Sequence, residues 1–363
     1  MARPTEVLQL CSTDTAPFQA LCAAHASALQ ALGARVTTVF VEPSAEPEGR
    51  DTDAWYLNLP AGYTKAQALK AFRAQVPIRS WDLVLSHRYK MMQLALRLQP
   101  RSAQQQIIAL AHEFGYFRRR KRVWYQRLFA PGVRFAAVSQ PVADDMRHSH
   151  WSLRGPLVLP NALDVRGLQA AQLTREAARE ALGLPRDRYL VGNVGRLHHK
   201  KQPELALQAF AALVPELPDG SRLVMMGDGQ LQDALQQVAN ELGIDGRVDW
   251  LGKVPGAARF MAAFDQFWFT TGHAEAFGVT LLEAMAAGQL VISADGAGPR
   301  TVLGDSGLYY RTGDVDSLAG AVREALKLSP EAAERLRCGA RERARLSFST
   351  DALVAAYATI LPV

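Results

Sequence analysis

Thr270 to Asp295 reads TTGHAEAFGVTLLEAMAAGQLVISAD. The apolar run Phe267 to Phe269 just before it suits a buried strand. A polar loop then carries His273 and Glu275, Val279 to Ala287 has the spacing of an apolar-faced helix, and Gly288 stops it. The stretch predicts strand, loop, helix, strand, the repeating unit of a parallel sheet. Glu275 lies in the loop and Glu283 two turns into the helix, eight positions apart. Both carboxylates therefore reach the carboxyl end of the strands, where parallel sheets hold ligands. The backbone N–H groups of Ala276, Phe277 and Gly278 at the helix start attract an anion. A phosphate between two acids requires a neutral spacer, and a sugar nucleotide supplies one: phosphates on the helix end, hydroxyls on the carboxylates. Taken alone, the pair reads equally well as a solvated loop charge and a helix-surface residue.

Outward from this unit, the 363 residues with 48% apolar content exceed one ordinary core and imply two domains. The three cysteines, Cys11, Cys22 and Cys338, form no CxxC pair. That argues for a reducing compartment and against a disulfide framework or zinc site. Val7 to Leu10 is too short, and lacks the cationic leader, for a signal peptide. No apolar stretch is long enough to span a bilayer. The net charge of +6 is uneven: residues 1–163 hold 20 Lys+Arg against 11 Asp+Glu, or +9, and residues 164–363 hold 21 against 24, or −3.

The basic first half opens with a strand at Glu6 to Cys11, a helix at Phe18 to Leu32 and a strand at Arg35 to Val41, the βαβ start of a doubly wound sheet. Asp51-Thr52-Asp53 matches a DxD metal motif, but no apolar strand leads into it, so it reads as a solvated loop. Strands at Trp81 to Ser86 and Ile107 to Ala111 end in His87 and in His112-Glu113. Either histidine can reach a cleft at the strand ends or sit as a loop residue in solvent. Phe114 to Phe129, FGYFRRRKRVWYQRLF, sets Arg118, Arg119, Arg120, Lys121 and Arg122 in a frame of aromatics. An anionic membrane, nucleic acid, a polyanionic acceptor or plain solvent each fit such a segment. Phe135 to Val138, the helix Pro141 to His148 and Leu157 to Leu159 complete this half, and the turn at Pro160 to Asp164 marks the domain boundary.

A second βα series follows. The strand Tyr189 to Val194 runs into Gly195-Arg196-Leu197-His198-His199-Lys200-Lys201, which places Arg196 and Lys201 where they can converge on a diphosphate. Leu223 to Met226 ends in Gly227-Asp228-Gly229, and Val248 to Leu251 ends in Gly252-Lys253-Val254, where a base or ribose can lie against backbone. Asp295 to Pro299 reads as a glycine-rich loop. Helices at Asp316 to Leu326, Pro330 to Leu346 and Asp351 to Leu361 close the chain.

Taken in order, Gly195-Arg196-Leu197 with Lys201, Gly227-Asp228-Gly229, Glu275-Ala276-Phe277-Gly278 and Glu283-Ala284-Met285-Ala286-Ala287-Gly288 resemble the second domain of family 4 glycosyltransferases of the GT-B fold. Pro160 to Asp164 resembles the PNGVD-type turn that closes the first domain there, and Ala137-Val138-Ser139 with Val142 to Asp145 resembles the segment before it. The resemblance covers residues 135–310 and is weaker before them. It implies two Rossmann-like domains facing across a cleft: an acceptor-binding domain over 1–163, a nucleotide-sugar domain over 164–345, and a C-terminal helix over 346–363 that packs back on the first. It further implies that Arg196 and Lys201 neutralise the diphosphate leaving group in place of a metal, so that no cofactor is required. Glu275 holds the hexose, the backbone of Phe277 and Gly278 the phosphate, with Ala276 and Val279 beside them in the donor site, and Glu283 the ribose. Gly252 and Val254 line the nucleotide, and His112 lies near the reacting sugar. Two departures stand out. Ser12-Thr13-Asp14-Thr15 replaces the glycine-rich loop that many relatives carry after the first strand, and Arg300 or Thr301 stands where relatives place a Glu.

The resulting expectation is a cytoplasmic retaining hexosyltransferase, peripheral on the inner face of the membrane. It moves a hexose from a UDP-, GDP- or ADP-sugar to an envelope glycan or glycolipid, such as a lipopolysaccharide core. Arg118 to Arg122 and His87 would face the acceptor or the membrane. A nucleotide-sugar 2-epimerase is the enzymatic alternative. A basic nucleic-acid binder is the non-enzymatic one, and it leaves Glu275 and Glu283 without a role.

Overall fold

The computed structural model describes residues 3–15, 17–44, 51, 53–77, 80–98, 105–150, 153 and 155–361. The chain forms two compact units, Met1–Asp164 with Ser349–Val363, and Val165–Phe348. It passes from the first to the second once and returns once.

The first unit holds a seven-stranded sheet of β1 (Glu6–Cys11), β2 (Arg35–Phe40), β3 (Trp55–Tyr56), β4 (Leu83–His87), β5 (Gln106–Ala111), β6 (Arg134–Ala137) and β7 (Leu157–Val158). Every pairing is parallel and the spatial order is β3-β2-β1-β4-β5-β6-β7. Val7, Leu8, Leu10 and Cys11 of β1 and all five residues of β4 are buried. Such unbroken apolar strands are stable only with both sheet faces covered. The helix Phe18–Ala31 covers part of one face, and the C-terminal helix Thr350–Ala358 packs on it. Ser349 caps that last helix by accepting from Ala352 N, and Tyr357 OH lies 2.7 Å from His25 Nδ1.

Three elements of this unit escape the periodicity reading: β3 and the helices Lys65–Gln75 and Arg88–Leu98. Lys65–Gln75 buries only Ala68 and Phe72, so its apolar stripe is thin, and a Thr64/Gln67 capping box sets its start. Near β3, Asp53 N donates to Asp51 Oδ1 at 2.9 Å, a local turn; Thr52 lies outside the described residues.

The second unit repeats the architecture with six parallel strands, β8 (Leu190–Val194), β9 (Arg222–Met226), β10 (Val248–Gly252), β11 (Gln266–Phe269), β12 (Val291–Ala294) and β13 (Leu308–Tyr310). Their order is β10-β9-β8-β11-β12-β13. Its core gathers Phe210, Leu213, Trp268, Ile292, Tyr310, Leu318 and Val322. Arg179, 1% exposed, is held by the carbonyls of Ala263, Arg186 and Arg188 and by Asp265 at 2.9 Å. Asp295 to Pro299 is not a loop throughout: the helix Ala297–Leu303 begins inside it. Pro299 falls in the first turn, whose N–H groups have no helical acceptor, so the proline costs nothing there.

Candidate functional site

In both sheets the strand order reverses beside the first strand, between β1 and β4 and between β8 and β11. Open parallel sheets bind ligands at such a switch point, outside the carboxyl ends of the strands. In the second unit the two loops leaving that point are clasped. Gly272 N donates to Lys200 O at 2.9 Å and Thr271 Oγ1 to the same oxygen at 3.2 Å. Behind them, Asn193 Nδ2 donates to Trp268 O at 2.8 Å and Thr270 Oγ1 at 2.9 Å, fixing β8 to β11. Lys201, just past β8, is thereby brought onto Glu275, just past β11. Its ammonium pairs with Glu275 Oε2, which also accepts from Thr271 Oγ1 at 3.1 Å. The Lys201 side chain is 33% exposed and that of Glu275 16%, so a ligand can still reach both.

The glycines hold this geometry. Gly227 has φ +148°, and a Cβ added there would lie 1.9 Å from Gly195 O; one on Gly229 would lie 2.3 Å from Leu197 O. Gly195 N donates to Met226 O and Leu197 N to Asp228 O. Gly227-Asp228-Gly229 is thus the shelf on which the Arg196–Lys201 loop rests. Gly298 plays the same part for Glu275, whose carbonyl would lie 2.2 Å from an added Cβ.

Gly278, at φ +95°, is the N-cap of the helix Val279–Ala286. The first-turn N–H groups of a helix point off its end without intrahelical acceptors. Ala276 and Phe277 are buried, and Phe277 meets Phe348 edge-on at 5.3 Å, so only their backbone is offered to a ligand. Glu283 is the fifth helical residue, one turn in and not two; burial raises its carboxyl to about 7. Arg196 is exposed on the β8 loop. Gly252 and Val254 lie at the end of β10, the edge strand, two places from β8. Arg300 is committed to Asp295, at 2.5 and 3.0 Å, and Thr301 Oγ1 donates to Ala297 O at 2.8 Å. A broad depression of 740 Å³ among Arg188, Gly220, Arg222 and Asp249 lies at the opposite, amino ends of β8, β9 and β10 and touches none of this.

Sequence reading missed Asn193 and Thr271. A polar residue inside the apolar strand LVGNV was the available signal for the first.

In the first unit His87 is corrected. It is no loop residue facing an acceptor or a membrane but the last residue of β4, 0% exposed. Its Nδ1 lies 3.0 Å from His112 Nε2. His112 also has a side-chain hydrogen bond with Asn161. Burial, with His25 and Arg88 nearby, holds its pKa well below the usual imidazole value, so it is neutral. In place of a glycine-rich loop after β1, buried Asp14 accepts from Ser44 Oγ at 2.6 Å. Arg118, Arg119, Arg120 and Lys121 are exposed. Arg122 is not free: its guanidinium donates to Tyr116 O at 2.8 Å and lies over the Tyr89 ring. The helix Arg120–Phe129 also exposes Trp124, Leu128 and Phe129, by 60%, 65% and 53%.

Two all-parallel Rossmann-type sheets in succession, with a cation and an acid meeting at the second switch point, define the GT-B class of fold. The structure is similar to Anabaena Alr3699/HepE solved with UDP and glucose, with a TM-score of 0.79 at 19% identity over 98% of this chain and 99% of that one. Residues 174–343 match the family described as glycosyl transferases group 1. It is 36% identical over 196 residues to D-inositol 3-phosphate glycosyltransferase of Mycolicibacterium paratuberculosis, covering 50% of this chain and 43% of that protein. It is 31% identical over 188 residues to the lipopolysaccharide core biosynthesis glycosyltransferase LpsE of Rhizobium meliloti, covering 50% and 52%. The chain thus spans about half the length of the curated relatives it matches.

Proposed function

We propose that the protein is a retaining glycosyltransferase that moves a hexose from a nucleotide sugar to an envelope glycan acceptor. The observation that carries this reading is the meeting of Lys201 and Glu275 at the β8/β11 switch point, beside the helix start at Gly278. The diphosphate lies against that helix end, with Lys201 and Arg196 taking up its charge as it leaves. Glu275 accepts hydrogen bonds from the hexose hydroxyls and Glu283 from the ribose. Gly252 and Val254 border the base. The bond from the anomeric carbon to phosphate breaks as the acceptor oxygen bonds on the same face. The acceptor's hydroxyl proton passes to the departing phosphate, so no protein base and no metal is needed. The LpsE likeness and the basic first half favour an acidic glycan or glycolipid, such as a lipopolysaccharide core, as acceptor.

The site of action in this reading is the inner face of the cytoplasmic membrane. No described helix is long and apolar enough to cross a bilayer. Exposed Trp124, Leu128 and Phe129 beside Arg118 to Lys121 suit shallow docking on anionic lipid.

A thermal-shift panel of UDP, GDP and ADP sugars tests the donor half, since ligand binding stabilises the fold by mass action. One nucleotide class raises the melting temperature in the wild type and not in Lys201→Ala or Glu275→Ala; no shift with any of the three ends the proposal. Turnover unaffected by a chelator is expected. Conversion of the donor sugar without acceptor would instead mark an epimerase. Charge reversal at Arg118, Arg119, Arg120 and Lys121 abolishes flotation with anionic vesicles and spares donor hydrolysis; unchanged flotation removes the membrane claim.

A further inference from the structure

Three soft or borderline ligand groups meet in the core of the first unit. Cys11 closes β1 and His87 closes β4, neighbouring strands at the first sheet's switch point. Cys22 reaches them from the helix Phe18–Ala31. The two sulfurs are 3.2 Å apart, and the ligand atoms of Cys11, Cys22 and His87 all lie within 4.8 Å of one another. All three side chains are at most 1% exposed.

The histidines carry a second, independent sign. His87 Nδ1 is committed to His112 at 3.0 Å, while His87 Nε2 is buried without a hydrogen-bond partner. His25, one turn after Cys22 on the same helix, repeats the pattern: its Nδ1 meets Tyr357 OH at 2.7 Å and its Nε2 is buried and unpartnered. The rings of His25 and His87 are 5.3 Å apart. Orphaned buried nitrogens are rare and require a cause. An imidazole whose far nitrogen is held by a neighbour, leaving the near one with a free lone pair, is how proteins present histidine to a metal.

We propose that Cys11, Cys22 and His87 bind one zinc ion. Two thiolates and a neutral imidazole are ligands that suit Zn²⁺. On binding, each thiol loses its proton to solvent and each sulfur forms a bond to the metal. Two thiolates balance the +2 ion, so the buried complex carries no net charge and escapes the penalty of an isolated buried charge. The ion staples β1, β4 and the first helix.

Native mass spectrometry of the full chain, reduced and supplied with Zn²⁺, tests this without any variant. One zinc per chain is expected, at the mass of the metal less two protons. Co²⁺ in its place gives a thiolate-to-cobalt charge-transfer band. Cys11→Ser and Cys22→Ser lose the band and the zinc, whereas Cys338→Ser, at an exposed thiol, keeps both. No zinc uptake by the wild type, a cobalt spectrum without the thiolate band, equal uptake by Cys22→Ser, or a Cys11–Cys22 disulfide in the reduced preparation each overturns the proposal.

Discussion

Glu283→Gln isolates the most pH-sensitive group of the donor site. An ordinary glutamate ionises near 4.5, and burial raises this one to about 7. The folded protein therefore holds a proton on Glu283 where the unfolded chain has already lost it. The stabilising contribution is complete below the unfolded value and disappears as pH rises through about 7. The free-energy difference between pH 4.5 and about 7 is about 3 kcal/mol at most, since the residue is partly open to water. Glutamine keeps the shape and cannot ionise. Wild type and variant should melt together near about pH 5 and separate by about pH 8.5, with the variant the more stable. For a unit of this size the separation is at most about 6–12 °C. Calorimetric or fluorescence melts across pH read it directly. A nucleotide diol that donates to the carboxylate favours its ionised form, so donor binding near neutrality also releases a proton in the wild type and none in Glu283→Gln. Superimposable melting profiles for the two proteins would refute the reasoning.

Lys201→Ala removes the cation from the leaving group and should lower kcat/KM by about 10²–10³-fold with little change in melting temperature; steady-state kinetics with the donor found in the panel decide it. Gly227→Ala drives a Cβ into Gly195 O, so the Arg196–Lys201 loop must move. We expect donor binding to be lost while the far-ultraviolet circular dichroism is retained, and binding at wild-type strength would show that the shelf is dispensable. Arg179→Met leaves the carbonyls of Ala263, Arg186 and Arg188 without their donor, while Asp265 keeps Arg175 and Leu190 N, and should cost about 1–3 kcal/mol by denaturant titration.

Much of the second unit was legible because its strands are nearly pure apolar runs and its functional residues sit immediately after them. Lys201 follows β8 by seven positions and Glu275 follows β11 by six, so the topology alone delivers both to one edge. The first unit was less transparent. Lys65–Gln75 has a thin apolar stripe of Ala68 and Phe72, and Arg88–Leu98 buries the consecutive run Met91 to Ala95 in place of a helically spaced face, so a periodicity reading sees both only faintly. His87 was misplaced because β4 runs one residue beyond its apolar stretch, which turns a loop residue into a core one. Cys11 and Cys22 suggested no metal site because their spacing is that of no short motif. They meet only because a strand end and the first turns of the following helix are pressed together, and sequence separation does not encode that.

The first unit is assembled from two stretches of chain with the whole of residues 165–348 between them. During synthesis its sheet can begin to form early, but the Phe18–Ala31 helix must keep the surface that will receive Tyr357 uncovered until the chain has been made past the whole of residues 165–348. The second unit, continuous in the chain, is complete first. A nascent chain stalled before residue 349 therefore leaves His25 without Tyr357 and the helix that covers it.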